Sequence, residues 1–164
     1  MSAAQKVENP LLDKNLVNAF VDGVKKTLST MAMTESTPKK AFVERDFKAK
    51  GEVSGMIGMV AGNMRGTITI SFEKPSIFKI LENMLGEPYS EINEEVRDAV
   101  GELTNMIYGT AKTALNEMGY AFEMAIPTVI TGSHEITSYH KGAALVIPFS
   151  MDDNLQFFIE ITVE

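Results

Sequence analysis

Asp98, Glu102 and Asn105 are the residues of this chain whose types and spacing suit them to act together. They stand four and then three residues apart. On an α-helix that spacing brings all three side chains within roughly 60° of one face. Two carboxylates and an amide, with no thiol or metal cluster beside them, make a presented polar row rather than a self-contained catalytic centre. Gly109, Lys112 and Asn116 continue the row. Val96, Val100, Leu103, Met106, Ile107, Ala111, Leu115 and Met118 repeat on the opposite side. The helix therefore has a buried back and a presented front. A mid-helix glycine costs about 0.5–1 kcal/mol relative to alanine, and Gly109 would give a second backbone room to approach the row. On the residues alone such a row reads first as a solvated helix face; Gly109 adds the suggestion of a docking surface.

Composition narrows what such a surface can serve. At 164 residues the chain is a single domain, 1–164, able to bury one core. A net charge of -7 argues against tracking a nucleic-acid backbone, because only short basic pairs such as Lys39-Lys40 occur. The absence of cysteine removes disulfides, thiolate zinc sites and thiol nucleophiles. No signal peptide precedes the first helix, and no apolar run reaches the length of a membrane span, so a soluble cytoplasmic protein is expected. The eleven methionines could form an adaptable binding surface, but Met56, Met59, Met84, Met106, Met118 and Met124 fall in periodic apolar segments, so core is the expectation.

The elements that must position the row follow from periodicity and punctuation. Asn9-Pro10 predicts a helix start, with Leu12, Leu16, Phe20, Val24 and Leu28 keeping helical period to about residue 31. Residues 41–47 predict a strand, and 53–61 with 67–72 a hairpin turning at Gly62-Asn63. Pro75 opens a short helix that Gly86 caps. The row lies on a long helix over about 93–118, stopped at Gly119. Strands are predicted at 122–126 and 128–131, then a closing hairpin of 143–150 and 155–163 around Asp152-Asp153-Asn154. This order repeats: helix, strand, hairpin, with the short helix between the two halves. Leu16, Asn18, Lys25 and Leu28 align without gaps on Leu103, Asn105, Lys112 and Leu115, while Glu102 has Asn15 as its counterpart. The expected architecture is α+β: two pseudo-repeated helix-strand-hairpin halves forming a mainly antiparallel sheet with long helices on one face.

Other constellations read as structure. Gly51, Gly55, Gly58, Gly62 and Gly66 lack the Gly-Lys-Ser/Thr ending of a phosphate loop and are strand and turn glycines. His134 and His140, with Glu135, lack metal-ligand spacing. No serine sits in a nucleophile-elbow context. Glu94-Glu95 complements a helix dipole.

Asp98, Glu102, Asn105 and Gly109, followed by Pro127-Thr128-Val129-Ile130-Thr131-Gly132, resemble the CheC/CheX/FliY family of chemotaxis phosphatases, its CheX-like members most. That family's signature is Asp or Ser, three residues, Glu, two residues, Asn, and a proline further on. The resemblance extends over nearly the whole chain. It implies hydrolysis of the aspartyl phosphate of a CheY-type response regulator that brings its own Mg²⁺, with no cofactor supplied by this chain. It implies that Asn105 orients the attacking water and that Glu102 pairs with the regulator's lysine. Asp98, Gly109 and Lys112 would belong to the docking face, and Pro127 to the structural motif. Family members carry one or two such sites, and Asn15 in place of Glu predicts one. A homodimer is also implied. The competing expectation is a receiver-binding or flagellar-switch-associated module without catalysis, against which Glu102 and Asn105 both stand intact.

Overall fold

A computed structural model describes residues 13–45, 50–132 and 143–163. His134, Glu135, His140 and Asn9-Pro10 lie outside the described residues. Helix α1, Lys14–Ala32, is capped by Asp13. The Asp13 carboxylate accepts from the backbone N–H groups of Asn15 (2.9 Å) and Leu16 (3.3 Å), so the described helix begins there. Strands β1 (Thr37–Pro38) and β2 (Phe42–Glu44) follow. The hairpin of β3 (Val53–Ala61) and β4 (Met64–Phe72) turns at Gly62, whose φ of 63° suits a glycine. Helix α2, Lys74–Leu85, carries Pro75 in its first turn and ends on Gly86 at φ 77°.

Helix α3, Glu94–Glu117, bears the polar row. Asn93 caps it by accepting from the Val96 N–H at 2.9 Å, and Glu94 and Glu95 occupy the first turn, where the helix dipole favours negative charge. Strand β5 (Thr128–Thr131), strand β6 (Ala144–Ser150), a 3₁₀ turn (Asp152–Asn154) and strand β7 (Gln156–Val163) complete the chain. The strand expected over 122–126 is absent: Phe122 makes a single bridge to Ala61, the Glu123 N–H still donates to the Val60 carbonyl of β3, and 124–127 have no strand pairing before β5.

All seven strands form one antiparallel sheet, ordered β1-β6-β7-β4-β3-β5, with β2 also paired to β6. This order confirms the internal repeat. Strands β4 and β7 pair at the centre and the outer strands of the two hairpins flank them. Each half then lends its extra strand to the other: β2 joins β6, and β5 joins β3. The fold is α+β as expected, with one sheet face packed on the helices.

Alternation along the strands builds that face. Val53, Ile57 and Met59 of β3, Ile68, Ile70 and Phe72 of β4, and Phe157, Ile159 and Ile161 of β7 are buried with Leu16, Phe20, Val24 and Leu28 of α1. The back of α3 supplies Val96, Val100, Leu103, Ile107, Ala111 and Leu115. Met118 and Met124 leave this scheme: they are 56% and 88% exposed, so only part of the expected methionine core exists.

Two close approaches set the position of α3. Thr104 is fully buried over Gly55 of β3, where any Cβ would collide with the Thr104 hydroxyl. Gly23 of α1 faces the Ile107 carbonyl, which an added Cβ would meet at 3.0 Å. Removing side chains at these two points lets α3 lie deep between sheet and α1. Neither role was assigned from sequence.

Candidate functional site

With its back fixed by Thr104 and Ile107, α3 turns Asp98, Glu102 and Asn105 outward, and all three are exposed. Their side chains make no hydrogen bond or ion pair with any described residue. The row is thus held on a rigid element while its polar atoms are free for an incoming surface. Lys112 and Gly109 follow on the same face, half-buried. Nothing lies within 4 Å of where a Gly109 Cβ would stand, so the room beside it opens outward. The backbone approach within the fold is made at Gly23 instead.

Asn116 departs from the expected row. It is spent on structure, with its amide nitrogen donating to the Phe122 carbonyl (3.1 Å) and its oxygen accepting from the Phe122 N–H (2.8 Å). The same chain segment is held further along α3. The buried Tyr108 phenol donates to the Glu123 carbonyl at 2.6 Å, and its pKa is raised by burial and then by the charge of Glu123. The Glu123 N–H donates to the Val60 carbonyl (3.0 Å). Pro127 is half-buried at the entry to β5, and Val129 lies close enough to Gly101 that an added Cβ would meet it at 3.3 Å. Residues 123–129 therefore form a border along the flank of α3 that carries Gly101 and Tyr108.

The opposite flank borders a groove of ≈ 820 Å³ between α1 and α3, lined by Asn18, Asp22 and Lys26 with Met106, Gly109 and Thr113. Asn15 and Asn18, the counterparts of Glu102 and Asn105, both line it and are exposed. Glu102 and Asn105 are not among its lining residues. They stand on a ridge between groove and border. A ridge cannot enclose a small substrate, but it can enter a cleft in another protein. Among the described residues no group of three or more His, Cys, Asp and Glu could hold a metal ion, and no helix is long and apolar enough to cross a membrane.

An antiparallel sheet of two interlocked halves, bearing an outward Asp/Glu/Asn ridge, suits contact with another macromolecule. Residues 53–150 match the family model described as chemotaxis phosphatase CheX, and the chain belongs to that family. It is 43% identical to a CheC-like superfamily protein of Shewanella sp. PV-4, with 92% of this chain and 98% of that one covered and a TM-score of 0.84. The CheY-P phosphatase CheX of Thermotoga maritima is 26% identical over 155 residues, 93% of this chain and 98% of that protein. The CheX of a CheX-CheY-BeF₃-Mg²⁺ complex from Borrelia burgdorferi shares the fold at TM-score 0.75 and 23% identity, with 90% and 97% of the two chains covered.

Proposed function

We propose that this protein hydrolyses the aspartyl phosphate of a CheY-type response regulator, with Asn105 and Glu102 of α3 as the residues that do it. The observation that carries this is the ridge itself: exposed, unpaired Glu102 and Asn105 one turn apart on a helix whose back is locked over Gly55 and Gly23. A response regulator supplies the phosphoryl group and its Mg²⁺, so the phosphatase has only to place water and exclude alternatives.

The Asn105 amide offers both a donor and an acceptor without net charge. It can hold a water in line with phosphorus and bring no repulsion to the anionic phosphoryl group. Water oxygen bonds to phosphorus, the bond from phosphorus to the aspartyl oxygen breaks, and the water proton leaves on the phosphate. Glu102, one turn nearer the helix N-terminus, pairs with the lysine of the receiver's active site through a charge-assisted bond as the interface closes and sheds water. Asp98, Gly109 and Lys112 extend the contact along the same face, and Pro127 ends the border at the point where β5 begins. Asn15 cannot supply the carboxylate of Glu102, so α1 carries no second centre.

We also propose that the protein is cytoplasmic, like its soluble partner, and homodimeric. The short strands β2 and β5 at opposite sides of the sheet support a dimer, since each offers backbone groups to a neighbour. The testing experiment is to follow phosphate loss from a phosphorylated CheY-type receiver with and without this protein. Acceleration beyond the receiver's own rate is expected; binding without acceleration would make the chain a noncatalytic module.

A further inference from the structure

The border along α3 carries an anomaly. Met124 and Ile126 are 88% and 89% exposed, more than any other large apolar side chain among the described residues. Isolated exposed apolar groups are ordinary, but two on one pinned segment are not. Their backbone is held on both sides, by the Asn116 clamp on Phe122 and the Tyr108 bond to Glu123, then by Val129 against Gly101 and the pairing of Thr128 with Met56. Ala125 between them packs on the core. The backbone that carries the two exposed side chains is thus held by the fold, forming an apolar ledge whose docking has only side-chain freedom left to order.

The position of the ledge indicates what covers it. Around the α3 axis, Gly101 and Tyr108 lie roughly 40–60° from Asn105, and the seven-residue step from one to the other spans only about 10 Å of helix. A receiver whose cleft admits Asn105 must bring the rim of that cleft over the helix flanks. A standard interface buries about 800 Å² per partner, a patch extending roughly 16 Å from its centre. The segment that carries the ledge is tied, at Tyr108 and Gly101, to the flank toward which Asn105 leans. The ridge is polar and charged, whereas interface cores are apolar and enriched in methionine.

We infer that Met124 and Ile126 form the apolar anchor of the receiver-docking surface, packing on the apolar rim beside the receiver's phosphorylation cleft, while Glu102 and Asn105 provide its polar half. The inference rests on the receiver phosphatase activity proposed above. The ledge contributes binding and touches no reacting atom, so it sets KM and partner choice and leaves kcat alone.

The test measures steady-state dephosphorylation of a CheY-type receiver by the full chain, by the Met124→Ser/Ile126→Ser double variant and by the conservative Met124→Leu/Ile126→Leu variant, with sedimentation of each. Both side chains are solvent-exposed, so melting temperature should not fall. The expected result is a KM raised about tenfold or more in the serine variant with kcat within about twofold, restored in the leucine variant, and an unchanged oligomeric state. A serine variant with wild-type KM, beside an active wild type, would overturn the inference. So would loss of the oligomer with KM unchanged, which would make the ledge a contact between copies of this chain. An inactive wild type would remove the proposed activity itself, and the inference with it.

Discussion

Thr104 sits in the space that a side chain at Gly55 would need, and its hydroxyl donates to the Val100 carbonyl at 2.7 Å. This contact on the buried side of α3 fixes the height at which the next residue, Asn105, stands on the exposed side. Gly55→Ala should therefore lift or tilt α3, with an overpacking cost of about 1–3 kcal/mol. The double variant Gly55→Ala/Thr104→Ala makes room for the new methyl and should recover part of both stability and phosphatase activity. Denaturant melts of the four proteins check it; equal losses in the single and double variants would detach the site from this contact.

Glu102→Ala should weaken receiver binding chiefly through the partner's lysine. In a double-mutant cycle with that lysine, the coupling should reach about 1.5 kcal/mol or more, above the roughly 0.2–1 kcal/mol of an exposed pair. Titration calorimetry on the four combinations measures it. Additive losses would mean that Glu102 contacts something else.

Asn18→Ala should leave turnover within about twofold of wild type, roughly 0.4 kcal/mol in barrier height. Asn18 borders the groove with Asp22 and Lys26, and Asn15 beside it lacks a charge for a receiver's lysine. Comparable damage from Asn18→Ala and Asn105→Ala, in folded proteins, would establish two centres.

On the sheet, Glu160 of β7 is buried, with Ser71 donating to one carboxyl oxygen at 3.3 Å and the other oxygen without a partner among the described residues. Burial raises its pKa from 4.5 to about 8, against the opposing pull of Ser71 and Lys50, while the Glu44 charge adds to the rise. The unfolded chain releases this proton first, so the group's contribution is fully present below pH 4.5 and is lost as pH rises through about 8. Glu160→Gln removes that loss and should stabilise the protein at pH 9 by on the order of 2 kcal/mol, with little gain at pH 5. Urea melts at the two pH values decide it; equal effects at both would assign Glu160 an ordinary pKa.

The polar row and its helix were legible because one period of 3.6 residues ran through both the apolar back and the polar front, with Asn93 at its start and Gly119 as its stop signal. The hairpins were legible for the same local reason. What sequence missed depends on neighbours distant along the chain. Met124 and Ile126 read as strand and core from their apolar character, and only the bonds from Tyr108 and Asn116 turn them outward. Gly109 drew attention by its place in the row, yet the helix contact runs through Gly23, whose partner Ile107 is distant in sequence. Asn9-Pro10 reads as the starting signal, whereas Asp13, not assigned as a cap from sequence, caps the described helix and also accepts a hydrogen bond from the Tyr120 phenol.

The most direct test of the central claim is single-turnover phosphate release from a phosphorylated CheY-type receiver by Asn105→Ala, with circular dichroism and receiver binding measured on the same sample. Hydrolysis should fall by on the order of a hundredfold or more while fold and binding persist, because the row still docks but no amide places the water. Undiminished hydrolysis by a folded Asn105→Ala protein would contradict it.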